Sequence, residues 1–268
     1  MLDGALPYGN LAYGDLVHGD TYPLLAYLAY IPGALVAPVR GGFDNLDGAL
    51  WVATGFALVA AIALARLGGI RVALAFLAFP PVMIAASSGS NDVVAAALVA
   101  VALALGSTAA LTAAGWVKLA PLALVPLWVS AAERGGRALI GAGAVTGALA
   151  IVLVLLGGFA GFGHLFDALS FQAQRGSLVS PWSVIGGGGD AQVVFQAAVI
   201  AGIAAACMRV WSDRSLAADP RRTAALGAAI LLAVQLAANF WTYTYLAWAF
   251  PLIAVALLTP SRPPAPSV

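Results

Sequence analysis

Asp15, His18 and Asp20 lie within six residues of one another in "PYGNLAYGDLVHGDTYPLLAYLAYIPG"; Asp3 precedes them, and the first basic residue is Arg40. A carboxylate in such a loop can take the proton of an attacking hydroxyl as general base, or hold a divalent cation through its oxygens. Asp20 is the first candidate for that base and Asp15 the second, with His18 and Tyr22 as neighbouring substrate contacts. Gly-Asp pairs also close tight turns through side-chain-to-backbone hydrogen bonds, which is the competing reading. A divalent cation is the one cofactor these residues suggest, and its ligands stay open. His18 and His164 are the only histidines, and no Ser-His-Asp order, H-E-x-x-H or C-x-x-C occurs. Hydrolase and zinc chemistry therefore gain no support.

A second set of polar residues sits among apolar ones. Lys118, in "GWVKLAPLALVPLW", is the only charge between Val93 and Ala132. Charges are costly in a bilayer and mark functional sites there, so pairing with an anionic substrate competes with a structural, snorkelling lysine. Pro121 and Pro126 are expected to disturb the helix just after it. Asn91 and Asp92, in "SSGSND", are substrate-contact candidates as well as ordinary helix-capping types. Arg175, in "FQAQRGSLVSPWS", can clamp a phosphate bidentately or touch a lipid headgroup. The preceding "HLFDALSF" suits an amphipathic helix lying in the interface. Phe240, Trp241, Tyr243, Tyr245 and Trp248 read as an interfacial aromatic belt before a sugar-stacking platform. The glycines at 186–189 lack the Lys-Ser/Thr of a phosphate loop and read as a flexible re-entry. Cys207, alone in an apolar run, reads as a buried hydrophobe.

The elements that must position these residues are membrane helices. The chain of 268 residues is 62% hydrophobic and 9% charged, against about 45–50% and about 25% in an average soluble domain. With a formal charge of +1 and no basic tract, a nucleic-acid partner is excluded. The expected fold is an all-α, polytopic transmembrane bundle. About nine spans are expected, at 24–39, 48–66, 70–86, 91–106, 109–130, 137–156, 191–211, 223–240 and 241–259. They form one transmembrane domain over 1–260, with external loops at 1–23 and 157–190 and a disordered tail at 261–268. No signal peptide is visible after Met1, so either a further span precedes it or the N-terminus is translocated unaided.

Strict alternation from an external N-terminus puts Arg40, Arg134, Arg137, Arg209, Arg214, Arg221, Arg222 and Arg262 inside and Arg66, Arg71 and Arg175 outside. That agrees with the positive-inside rule, with "RLGGIR" outside and "SSGSND" inside as its misfits. Half-helices within 70–106, which the Pro80–Pro81 pair would favour, would change both assignments.

The order of "LPYGNLAYGDLVHGDTYPLLAYLAYIPG", "SSGSND", "WVKLAPLALVPLW", "QRGSLVSPWS" and "FWTYTYLAWAFP" resembles bacterial polytopic glycosyltransferases of family 87. That family belongs to the GT-C superfamily and is related to the actinobacterial polyprenyl-phosphate-mannose-dependent mannosyltransferases. The resemblance implies an enzyme of the bacterial plasma membrane that moves a hexose, possibly mannose, from a polyprenyl-phosphate donor to a lipid or glycan acceptor. The transfer would be extracytoplasmic and inverting, and membrane lipids would be its surroundings. The family's catalytic carboxylate lies in the first external loop after an initial helix; that helix is absent here, so the chain resembles an N-terminally truncated member whose catalytic aspartate lies upstream of Met1 or among Asp3, Asp15 and Asp20. Lys118 and Arg175 would face the lipid phosphate, and Asn91 with Asp92 would line the acceptor or assist a divalent ion. The alternatives are a transporter or flippase, for which proline-broken helices are equally expected, and a catalytically inactive membrane fragment.

Overall fold

The computed structural model describes residues 6, 8, 22–38, 46–174, 176, 179–186 and 189–260. Among them the secondary structure is helical throughout. The α-helices are α1 Leu24–Leu28, α2 Ile31–Val36, α3 Asp47–Gly68, α4 Ile70–Leu77, α5 Pro80–Ser87, α6 Asn91–Leu105, α7 Thr108–Val117, α8 Val125–Ala131, α9 Gly135–Gly157, α10 Ala160–Gln174, α11 Pro181–Val184, α12 Gly189–Ser212, α13 Arg214–Ala218, α14 Pro220–Ala237 and α15 Leu246–Leu258. Short 3₁₀ turns at Ala120–Leu124 and Tyr243–Tyr245 lead into α8 and α15.

Three of these helices, α3, α9 and α12, are long and apolar enough to cross a bilayer, and α4 with α5 would make a fourth if counted as one bent span. This is a membrane protein by architecture. The core is built from small residues: α6 buries Val93, Val94, Ala95, Ala96, Ala97, Val99, Ala100 and Ala102 completely, packed against α3, α7 and α15. Small side chains let helix backbones approach where the hydrophobic effect gives no help. Gly33 of α2 faces Gly48 of α3 so closely that a Cβ on either would strike the other's carbonyl.

The breaks have local causes. Phe79, held extended by the proline that follows it, separates α4 from α5, and the two are bent by 62°. Gly106 closes α6 in the left-handed region, φ 61°, and the Ser107 hydroxyl accepts the Ala110 N–H at 3.2 Å to open α7. Helix α7 stops at Val117 because the ring of Pro121 excludes an α-helical carbonyl four residues earlier; Lys118 is extended at φ −143°, ψ 129°. The expected disturbance after Lys118 is therefore observed, as is the break near Pro80–Pro81.

Contacts between helix ends sort the molecule into two ends. Gly68 packs against Thr259 at the close of α15, the Arg221 guanidinium donates to the Ala256 carbonyl at 3.4 Å, and Thr223 Oγ1 donates to the Leu216 carbonyl at 3.2 Å. Arg214 donates to the Ser130 carbonyl at 2.7 Å, and Thr108 Oγ1 to the Ala138 carbonyl at 2.8 Å. Arg66, Arg71, Arg134, Arg137, Arg209, Arg214, Arg221 and Arg222 therefore share one end, and these are all the described arginines. At that end the Asp213 carboxyl is held below its ordinary value, chiefly by the Ser215 hydroxyl, which donates to it at 2.6 Å.

Alternation of nine crossings is corrected at two places. The expected span 24–39 is two helices of 5 and 6 residues that stay at the opposite end: the Tyr30 hydroxyl donates to the Gly89 carbonyl at 2.9 Å, and Gly33 meets Gly48. The expected span 109–130 is a hairpin, rising as α7 to Lys118 and returning as α8 to Ser130 beside Arg214. Both deviations follow from chain breaks that hydropathy does not register. Their effect is to move "RLGGIR" to the basic end and "SSGSND" away from it, which removes both misfits of the alternation.

Helix α10 carries the expected amphipathic "HLFDALSF", with Leu165 and Ala168 buried beside Leu6, Tyr8 and Leu24 while Phe166 is exposed. Gly189 begins α12, so of the 186–189 run only Gly186 and Gly189 are described, both with positive φ. The tail 261–268, most of the loop before Tyr22, and Arg40 lie outside the described residues.

Candidate functional site

At the end opposite the arginines, Asp92 and Lys118 form a buried ion pair. Lys118 Nζ lies 3.1 Å from Asp92 Oδ1, with 6% of either side chain exposed. Ser90 is the N-cap of α6 and its hydroxyl accepts the Asp92 N–H; the same hydroxyl donates to Asp92 Oδ2 at 2.9 Å. Trp248 Nε1 donates to Asp92 Oδ1 at 2.9 Å. The carboxylate thus sits in the first turn of a helix, where the helix dipole favours negative charge, with three donors from three chain segments. Charge in so dry a place persists only when paired and hydrogen-bonded in this way.

The ammonium group is caged by rings. Lys118 Nζ lies 4.1 Å from the centre of the Tyr22 ring, 5.5 Å from Tyr245 and 5.6 Å from Trp248, inside the range of cation–π attraction. Tyr245 and Trp248 themselves lie 4.1 Å apart between ring centres, tilted by 31°. The sequence favours a lipid-facing belt for this cluster, but Trp248 is buried and turned to Asp92. Tyr243, half exposed, is the member that fits a belt position.

Beside the pair lies a cavity of about 440 Å³, within the range of small-molecule sites, about 300–1,000 Å³. Tyr22, Lys118, Phe240, Tyr245 and Trp248 border it together with the amides of Gln196, Gln235 and Asn239. Gln235 is buried; its Nε2 donates to the Tyr245 carbonyl at 3.0 Å, and its Oε1 has no partner among the described residues. The rim is tied down where α14 ends. Trp182 Nε1 donates to the Leu236 carbonyl at 2.7 Å, Gln192 and Gln196 both donate to the Ala237 carbonyl at 3.1 Å, and Ser180 Oγ donates to the Ala238 carbonyl at 3.3 Å. Helix ends leave carbonyls unpaired, and here side chains from 180–196 satisfy them.

The sequence candidates distribute unevenly. Lys118, Asp92 and Tyr22 meet at one point. Asn91 is half-buried at the first position of α6 and does not line the cavity. Lys118 is corrected from an uncommitted cation to one committed to Asp92, because the hairpin tip brings it to the first turn of α6. Asp92, placed on the inner side by alternation, lies with Lys118 at the end away from the arginines. Asp3, Asp15, His18, Asp20 and Arg175 lie outside the described residues, although Tyr22, two positions after Asp20, borders the cavity. Among the described residues no three His, Cys, Asp or Glu side chains gather as metal ligands.

Sequence reasoning passed over Ser90, Gln196 and Gln235. A Gln in the last turn of an apolar helix, as in "LLAVQLAANF", is the signal that marks Gln235. Described residues of all five motif stretches meet here: Tyr22 of the first, "SSGSND", "WVKLAP" and "FWTYTYLAWAFP" at the ion pair, with "SPWS" on the rim. Comparison with protein-family models, curated proteins and solved structures finds no match.

Proposed function

We propose that the protein is a membrane glycosyltransferase that moves a hexose from a polyprenyl-phosphate donor to a lipid or glycan acceptor on the extracytoplasmic side. The observation that carries this reading is the aromatic- and amide-bordered cavity at the end away from every described arginine. Under the positive-inside rule the arginine end is cytoplasmic, so the cavity faces the other leaflet, and the loop bearing Asp15 and Asp20 joins the helices at its edge through Tyr22.

In this reading Asp20 takes the proton of the acceptor hydroxyl as that oxygen attacks the anomeric carbon. The new carbon–oxygen bond forms as the bond to the lipid phosphate breaks on the opposite face, which inverts the centre. The phosphate leaves with its electron pair, and Arg175 is the cation proposed to meet it. Asp92 and Lys118 act as positioning residues that fix the Tyr22, Tyr245 and Trp248 rings. Mannose as the sugar rests on the resemblance to family 87 alone.

The test is transfer from radiolabelled polyprenyl-phosphate hexoses in membranes holding the full chain, beside Asp20→Ala and Asp15→Ala. Transfer that Asp20→Ala abolishes supports the reading; no transfer from any donor counts against it. A carrier or flippase is the second reading, favoured by one observation: the bent segment 70–87 ends, and the hairpin 108–131 turns, at the end that holds the buried pair. Lipid-linked sugar that changes leaflet without covalent transfer in proteoliposomes would select it.

A further inference from the structure

We infer that the cavity is the seat of an uncharged hexosyl ring, not of the lipid phosphate, and that Gln235 is its specificity-determining residue. The inference rests on the transferase reading for the identity of the ligand, but its evidence is the cavity's own chemistry. The only charged side chain on its described wall is Lys118, and Asp92 neutralises that charge at 3.1 Å while Tyr22, Tyr245 and Trp248 surround it. A phosphate entering here would lose its hydration and meet no uncommitted cation among the described lining residues, at a large desolvation cost. A neutral polyol meets what it needs: aromatic rings for its C–H faces, and amides for its hydroxyls.

Gln235 stands apart within that wall. One half of its amide is fixed by the bond to the Tyr245 carbonyl, at 3.0 Å, and the other half is a buried acceptor lacking a donor. Buried acceptors are rarely left so, because the missing bond costs free energy. Oε1 is closed off from the cavity as the amide stands, and a ring hydroxyl seated beside Gln235 supplies that donor once the amide turns toward it. A sugar lacking the hydroxyl leaves it orphaned, and sites built around a hydrogen bond reject such analogues strongly.

The experiment uses the full chain in lipid nanodiscs and saturation-transfer NMR with methyl α-mannoside, methyl β-glucoside and inorganic phosphate as probes. The expected result is saturable binding of at least one glycoside, undisturbed by inorganic phosphate. Gln235→Leu should bind it about tenfold more weakly, while Gln235→Glu, whose buried carboxyl in its neutral form keeps both a donor for the Tyr245 carbonyl and an acceptor oxygen, should stay near wild type. Three results overturn the inference: no saturable glycoside signal in wild type, displacement of the glycoside by phosphate, or equal loss in Gln235→Glu and Gln235→Leu. The last would show that binding does not follow the acceptor oxygen. Where Gln235→Leu does not fold, the wild-type competition and Gln235→Glu still decide. Glycoside binding without transfer activity leaves this assignment standing and removes the transferase reading; transfer at wild-type KM by Gln235→Leu does the reverse.

Discussion

At the scale of residues, the Asp92–Lys118 pair is the molecule's most exacting feature. Removing one partner leaves the other charged and dry, so Asp92→Asn and Lys118→Met should each cost about 3–5 kcal/mol in stability. The double variant should recover much of that loss, because no uncompensated charge remains. Trp248→Phe removes a single donor to the carboxylate and should cost less, about 1–3 kcal/mol. Unfolding in mixed detergent micelles measures all four, and a double variant as unstable as the sum of the singles would contradict the coupling. The pairing itself is invisible in the sequence: Asp92 and Lys118 are ordinary cap and snorkelling types until a hairpin tip and a helix start are brought together.

At the scale of elements, close approach and chain breaks do the positioning. Gly33→Val or Gly48→Val forces α2 away from α3, since the added side chain meets backbone that cannot give. Either should destabilise the fold by about 1–3 kcal/mol, whereas Gly143→Val, in open space on α9, should stay within about 0.5 kcal/mol. Melting of the three variants side by side checks the contrast. Pro121→Ala bears on the site more directly. It lets α7 run past Val117, lifts Lys118 off Asp92, and should abolish sugar transfer while helix content by circular dichroism holds or rises. Retained activity with a longer helix would show that the hairpin tip does not need its break.

At the scale of the whole molecule, the two ends differ in charge, with every described arginine at one of them. Only 11% of the apolar window of α9 and 6% of that of α12 is buried within the chain; with apolar faces this bare, lipid is their natural solvent. Orientation follows from the shared arginine end. In a Cys207→Ala background, a cysteine at Arg66 should resist a membrane-impermeant thiol reagent in intact cells and react after permeabilisation, while one at Asp190 should react in both. Strict alternation predicts labelling of position 66 from outside, so a single experiment separates the two topologies.

Composition and hydropathy determine that this is an all-helical membrane protein, because 62% apolar content leaves no other solvent for the chain. Local chemistry determines where helices stop: Pro80, Gly106 and Pro121 act on the backbone within a turn of themselves. The sequence also marks Lys118, whose charge stands out against apolar neighbours, and Asp92 and Tyr22, which close polar stretches just before apolar ones. Tertiary structure alone decided which segments run end to end, because a hairpin and a crossing helix have the same hydropathy and differ only in what their far ends touch. It alone turned Trp248 from the lipid to Asp92 and set Gln235 in the cavity wall, since those partners lie far apart along the chain and only packing brings them within a hydrogen bond's reach.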